Sequence, residues 1–316
     1  MVAFFVQLLI SNRFHRTSSI MEISVAVPRN FSFRRTVLSH GWYGLLPFEL
    51  GQSNWRLLRV LNPVGSQPLT VNISDAKDSL QVSLRGRPGK RVVDGVVREV
   101  RHIFRLDDEL EDFYGVMTGV PDFAWIAHQG AGRLLRSPTV FEDLVKSVCT
   151  TNCSWALTVK MVTGLVNNLG LQSKDGRRAF PTPEAMAGAP VEFYRDEVRA
   201  GYRAPYLKEL AERVASGEID VEAWLTSELP TEELKREMKR IKGVGDYAAE
   251  NLLKLVGRYD CLALDSWVRA TFARTRGRGR KSTDEKIARY YSRFRAWRGL
   301  ALWCDMTRDW LEGEEQ

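Results

Sequence analysis

Lys242-Gly243-Val244-Gly245 and Asp265 are the residues whose types and spacing could do chemistry. The pattern predicts a helix over 231–241 that ends at the G-V-G turn and a second helix over 247–256. Glycines in such a turn allow a permissive φ and a close approach of the backbone to a ligand. The second helix then opens with free N–H groups at its positive end, a ready site for a phosphate. Lys239, Arg240 and Lys242 add charge beside that end. Glycine also closes helices routinely, so the turn alone is weak evidence. Twenty residues after Gly245, Asp265 stands at the expected N-cap of a further helix over 266–274. Capping is the ordinary work of an aspartate there.

The rest of the composition narrows the class. The 316 residues are 44% hydrophobic and 27% charged, enough apolar mass for a core and room for two domains. No apolar run approaches the ~20 residues of a membrane span. The formal charge is +7, but the basicity is local. Arg269 to Arg298 holds eleven Lys/Arg against two acids, a local +9 that leaves the remainder near −2. A basic patch of this kind suits a polyanionic partner. Four cysteines without a C-x-x-C pair supply neither a disulfide scaffold nor a zinc or iron–sulfur ligand set. No metal and no cofactor are expected.

Elements must position these groups. Alternation from Met21, with short runs at 57–61, 69–73 and 80–84, predicts an antiparallel sheet of four to six strands. At Arg91 the period changes: Val92, Val93, Val96, Val97, Val100, Ile103 and Phe104 line one helical face that should pack on the sheet. Beyond Leu106 the pattern is helical, including 140–149, 155–169, 205–216, 284–297 and 299–306. Arg274 to Lys281 (RTRGRGRK) reads as a flexible basic loop that could touch phosphates. Residues 1–20 read as a dispensable extension, with an organelle-targeting arm the less favoured reading.

Together, the hairpin and the aspartate resemble the helix-hairpin-helix (HhH-GPD) DNA glycosylases. Ile103-Phe104-Arg105-Leu106-Asp107, Arg133-Leu134-Leu135-Arg136, Cys149-Thr150-Thr151-Asn152, Phe180-Pro181-Thr182-Pro183 and Gly201-Tyr202-Arg203-Ala204 look like the 8-oxoguanine branch. Sheet followed by helices is the order of both the 8-oxoguanine and the alkylpurine (3-methyladenine type II) branches. The similarity runs from Glu22 to Trp310. It implies that Lys242, Gly243, Val244 and Gly245 grip the DNA backbone and that Asp265 catalyses base excision. It also implies that Asn152 and Arg203 fill the vacated stack and meet the orphaned base. Tyr247, Asn251 and Trp303 would line the base pocket.

Three departures bear on the chemistry. Tyr247 occupies the position of the lysine that forms a Schiff base in 8-oxoguanine enzymes. A phenol forms no imine, so hydrolysis without AP lyase activity is expected unless another lysine such as Lys242 substitutes. Leu157 stands where a second arginine is usual, and Asn251 replaces a cysteine of the base pocket. The expected substrate is an alkylated purine, since aromatic walls attract electron-poor cationic bases.

The fold class is therefore α+β: an antiparallel β domain over 21–107 with a packing helix, then a helical glycosylase domain over 108–316. The expected function is monofunctional base excision repair on double-stranded DNA with a damaged base, extruded before its N-glycosidic bond is hydrolysed. 8-Oxoguanine, hypoxanthine and uracil are alternative bases, and a non-catalytic damage-binding protein is the alternative class. A monomer is expected, inside the cell with DNA and away from membranes.

Overall fold

The computed structural model describes residues 19–63 and 66–310. Of the extension over 1–20, only Ser19 and Ile20 fall within the described residues, and Ile20 already belongs to the first strand. β1 (Ile20–Ala26), β2 (Phe48–Gly51), β3 (Arg56–Leu61), β4 (Leu69–Ala76) and β5 (Ser79–Arg85) form one sheet, ordered β1-β5-β4-β3-β2. Every neighbouring pair is antiparallel. Register sets Ile23 opposite Val82, Val71 opposite Leu84 and Leu57 opposite Ile73, and all six side chains are buried. A slip by one residue would turn each of them to the other face, so burial fixes the pairing. β2 is absent from the sequence reading, because four residues at an edge are too few to display alternation.

The Lys90–Ile103 helix follows, and its Val93, Val96, Val100 and Ile103 enter the same buried cluster as the strands. From Glu111 onward the described secondary structure is helical, apart from one isolated bridge between Gln172 and Arg178. The fold class read from the sequence is thus the one observed. Helix ends differ in two instructive places. The helix from Thr231 stops at Met238, three residues short, so that the chain can turn toward Gly243. The helix expected over 284–297 ends at Tyr291 and continues as a tighter turn, Ser292–Trp297, with Arg295 at φ +51°. That reversal aims the last helix, Arg298–Met306, against the segment that leads to Asp265.

Gly299 makes the approach feasible. Its N–H donates to the Tyr259 carbonyl at 2.7 Å, and a Cβ there would lie 1.9 Å from the Cys261 carbonyl oxygen. Gly299→Ala should therefore destabilise the fold by about 1–3 kcal/mol, read as a lower melting midpoint. An unchanged midpoint would mean that the two segments separate at no cost.

The basic loop is less free than its composition suggests. Arg276 donates to both carboxylate oxygens of buried Asp305, at 2.9 and 2.6 Å, and lies 3.3 Å from Asp122. The Tyr291 hydroxyl donates to the same Asp305 at 2.6 Å. One arginine of the run is thus a fold anchor.

Candidate active site

The hairpin is built as its residues require. Gly243 adopts φ +88°, and a Cβ on it would stand 3.1 Å from the Tyr206 ring. Gly245 caps the Asp246–Leu255 helix with extended backbone and no side-chain hydrogen bond, leaving the first N–H groups facing outward. Val244 is buried beneath the turn, while Lys242 is 62% exposed and paired with Glu209 at 2.7 Å. One acid stands at this helix start: Asp246 is hydrogen-bonded by Lys239, which with Lys235 holds its carboxyl below the usual range.

Asp265 and this turn line the same cleft, of about 1250 Å³. It does cap a helix: Oδ1 accepts the Val268 N–H at 2.7 Å, and its carbonyl accepts the Arg269 N–H. It also lines the cleft together with Tyr247, close enough for its charge to act on the phenol. Burial, then the Asp265 charge, pushes the Tyr247 phenol up to about 12, so it stays protonated as a donor at neutral pH. Capping and facing the cleft are compatible, since one carboxylate has acceptor sites for both.

The backbone before Asp265 is held in an unusual state. Ala263 sits at φ +54°, a left-handed conformation that costs a residue with a Cβ about 1 kcal/mol or more. Its N–H donates to Glu250 Oε2 at 2.6 Å, and Lys235 holds Oε1 at 2.6 Å. Glu250 therefore links the hairpin's second helix to the segment that carries Asp265. Nothing in the sequence pattern singles it out.

Trp303 lines the cleft and donates its indole N–H to the Ser39 carbonyl at 2.7 Å. Trp267 and Trp310 complete a three-ring cluster with centroids 5.7–6.1 Å apart, and both rings are partly exposed. These two escape the sequence reading. Asn251 lines the same cleft and donates to the Tyr247 carbonyl at 2.9 Å. Lys254 is a second omission, buried at the cleft with its amine on the Leu262 carbonyl.

Asn152 also lines the cleft, exposed and with φ +46°, a conformation asparagine tolerates well. Arg203 sits against the residue that precedes Asn152. It is buried, with Nε donating to Thr151 Oγ1 at 3.2 Å and Nη2 to the Thr151 carbonyl. The arginine thus braces the Asn152 turn. Trp155 and Tyr202, exposed at 46% and 52%, add further aromatic surface to the cleft.

Residues 145–295 match the model of the HhH-GPD superfamily base excision DNA repair protein. Over 211 residues the chain is 25% identical to a probable N-glycosylase/DNA lyase of Methanothermobacter thermautotrophicus. That alignment covers 59% of this chain and 66% of the archaeal protein, just under two thirds of its length. In fold, the chain is similar to the 3-methyladenine DNA-glycosylase from Archaeoglobus fulgidus. The TM-score is 0.71 at 22% identity, over 92% of this chain and 98% of that one. It is equally similar to the Clostridium acetobutylicum 8-oxoguanine glycosylase/lyase in complex with double-stranded DNA. There the TM-score is 0.70 at 18% identity, over 98% of this chain and 99% of that one. No described helix is long and apolar enough to cross a membrane.

Proposed function

We propose that this protein is a DNA glycosylase that extrudes a damaged purine, with alkylated purines as the substrate class, and hydrolyses its glycosidic bond without cutting the strand. The observation that carries the reading is that Asp265 lines one cleft with the G-V-G turn, Tyr247 and Trp303. Breaking the bond from C1′ to the base develops oxocarbenium character on the sugar, and a nearby carboxylate stabilises that charge in a water-poor cleft. Asp265 can also hold or deprotonate the attacking water. The Val268 N–H holds the carboxylate in place, and Tyr247 offers no amine at the position where an imine would form. The hairpin N–H groups and Lys242 suit the phosphate backbone, and the Trp267–Trp303–Trp310 cluster offers flat apolar area to a purine. Extrusion costs a few kcal/mol, least for a damaged base, which favours lesions before any contact to the base is made.

The test is incubation with labelled duplexes that carry one lesion each: an alkylated purine, 8-oxoguanine, hypoxanthine or uracil. Strand breaks should appear in the alkylated duplex only after hot alkali. Breaks without alkali would overturn the hydrolytic reading, and tight binding with no base release would make the protein a damage sensor.

A further inference from the structure

Lys254 stands two helical turns beyond Tyr247, so both side chains lie on one face of the Asp246–Leu255 helix. Its side chain is 1% exposed, yet the residue lines the cleft with Tyr247, Asn251, Asp265 and Trp303. Nζ donates to the Leu262 carbonyl at 3.1 Å and lies 5.9 Å from the centre of the Trp303 ring. Glu250, Cys261 and Asp265 act on it only through space. Lys146, just as buried, has Glu142 at 2.7 Å. An ammonium has three donors, and a buried one with a single acceptor and no adjacent carboxylate is costly to keep. Such a group is retained where something else accepts from it.

We propose that Lys254 reads the charge of the extruded base, donating to a ring-nitrogen or carbonyl acceptor, so that uncharged damaged purines are excised ahead of cationic N-alkylpurines. This rests on the glycosylase reading and narrows its substrate class to the uncharged alkylated purines. Like charges in a desolvated cleft repel strongly, so a base with a fixed positive charge is disfavoured beside this ammonium. The amine already occupies the neighbourhood of the Trp303 ring, which removes part of the cation–π attraction expected for a cationic base. Aromatic area here serves stacking, and the lysine sets the sign of the charge preference.

Single-turnover excision is measured on one duplex carrying ethenoadenine, hypoxanthine, 8-oxoguanine or N7-methylguanine, with spontaneous loss subtracted. The wild type should favour an uncharged lesion over N7-methylguanine by roughly tenfold or more. Lys254→Met should lose roughly tenfold on the uncharged lesion and gain on N7-methylguanine, while Lys254→Arg keeps the preference. A Met variant whose preference stays within about threefold of wild type overturns the proposal. So does a wild type that removes N7-methylguanine fastest. Release of 8-oxoguanine or hypoxanthine alone, weakened in Lys254→Met, would sustain the lysine's role and defeat the alkylated-purine reading. No release from any duplex would end both.

Removing an unpaired buried charge should not unfold the chain, and equal melting midpoints check this. The pH dependence gives an independent arm in the wild type. Burial lowers the Lys254 amine to about 8, against the raising effects of Glu250, Cys261 and Asp265. Burial pushes the neighbouring Cys261 thiol up to about 11 and the Tyr247 phenol up to about 12. The ratio of N7-methylguanine to ethenoadenine excision should therefore rise through pH 8 as the ammonium deprotonates. A flat ratio across that window would overturn the assignment.

Discussion

Asp265→Asn is expected to slow single-turnover base excision by roughly 10²–10⁴-fold while leaving the affinity for lesion duplex within about threefold. The argument separates the two roles of the residue. As an N-cap, asparagine is as good as aspartate, so the hydrogen bond from the Val268 N–H at 2.7 Å survives. The melting midpoint should then hardly move. What the substitution removes is the negative charge facing the cleft beside Tyr247. A neutral amide cannot stabilise an oxocarbenium-like sugar or take a proton from water. Asp265→Ala makes the complementary case: it should be as inactive as the Asn variant and also lose about 1 kcal/mol of stability with the cap. If Asp265→Asn keeps a tenth of the wild-type rate, the carboxylate is a cap and nothing more.

Why the aspartate was legible and its surroundings were not follows from where each signal resides. The G-V-G turn and the aspartate are local, fixed by a few consecutive residues with specific backbone needs. The strands likewise announce themselves by alternation, as in Ile23, Val25 and Val27. The supporting contacts are not local. Glu250 meets Ala263 only because the hairpin helix and the following segment pack together, and the strained φ of Ala263 has no composition signature. Trp267 and Trp310 look like ordinary amphipathic-helix aromatics until their distances to Trp303 are known. Lys254 did leave a trace, a charge set among Leu252, Leu253, Leu255 and Val256. It was masked because lysine in the last turn of a helix is commonplace. The pairing of Arg203 with Thr151 is equally non-local, joining residues 52 apart in the chain.

The largest stability effect is expected at a group no sequence pattern exposes. Arg59 of β3 forms a two-pronged pair with Glu142, at 2.8 and 2.6 Å, and Lys146 reaches the same carboxylate at 2.7 Å. All three side chains are at most 2% exposed. They tie the sheet to the Val140–Thr150 helix, whose end delivers Thr150, Thr151 and Asn152 to the cleft. Glu142→Gln leaves two buried cations without their counter-charge and should cost about 3–5 kcal/mol in denaturant unfolding. Replacing all three by apolar residues of similar size, as in Arg59→Met with Glu142→Leu and Lys146→Met, should recover most of that loss. The pH dependence has a definite sign. Burial raises the Glu142 carboxyl, but Arg59 and then Lys146 outweigh it and hold the group below its ordinary 4.5. A carboxylate so depressed contributes its stability above the unfolded value and loses it as pH falls through the lower folded one. The stability gap between wild type and Glu142→Gln should therefore be full at neutral pH and narrow below about pH 4.5. A gap under about 1 kcal/mol at pH 7 would mean that solvent reaches the triad and that something else joins the sheet to the cleft-facing helix.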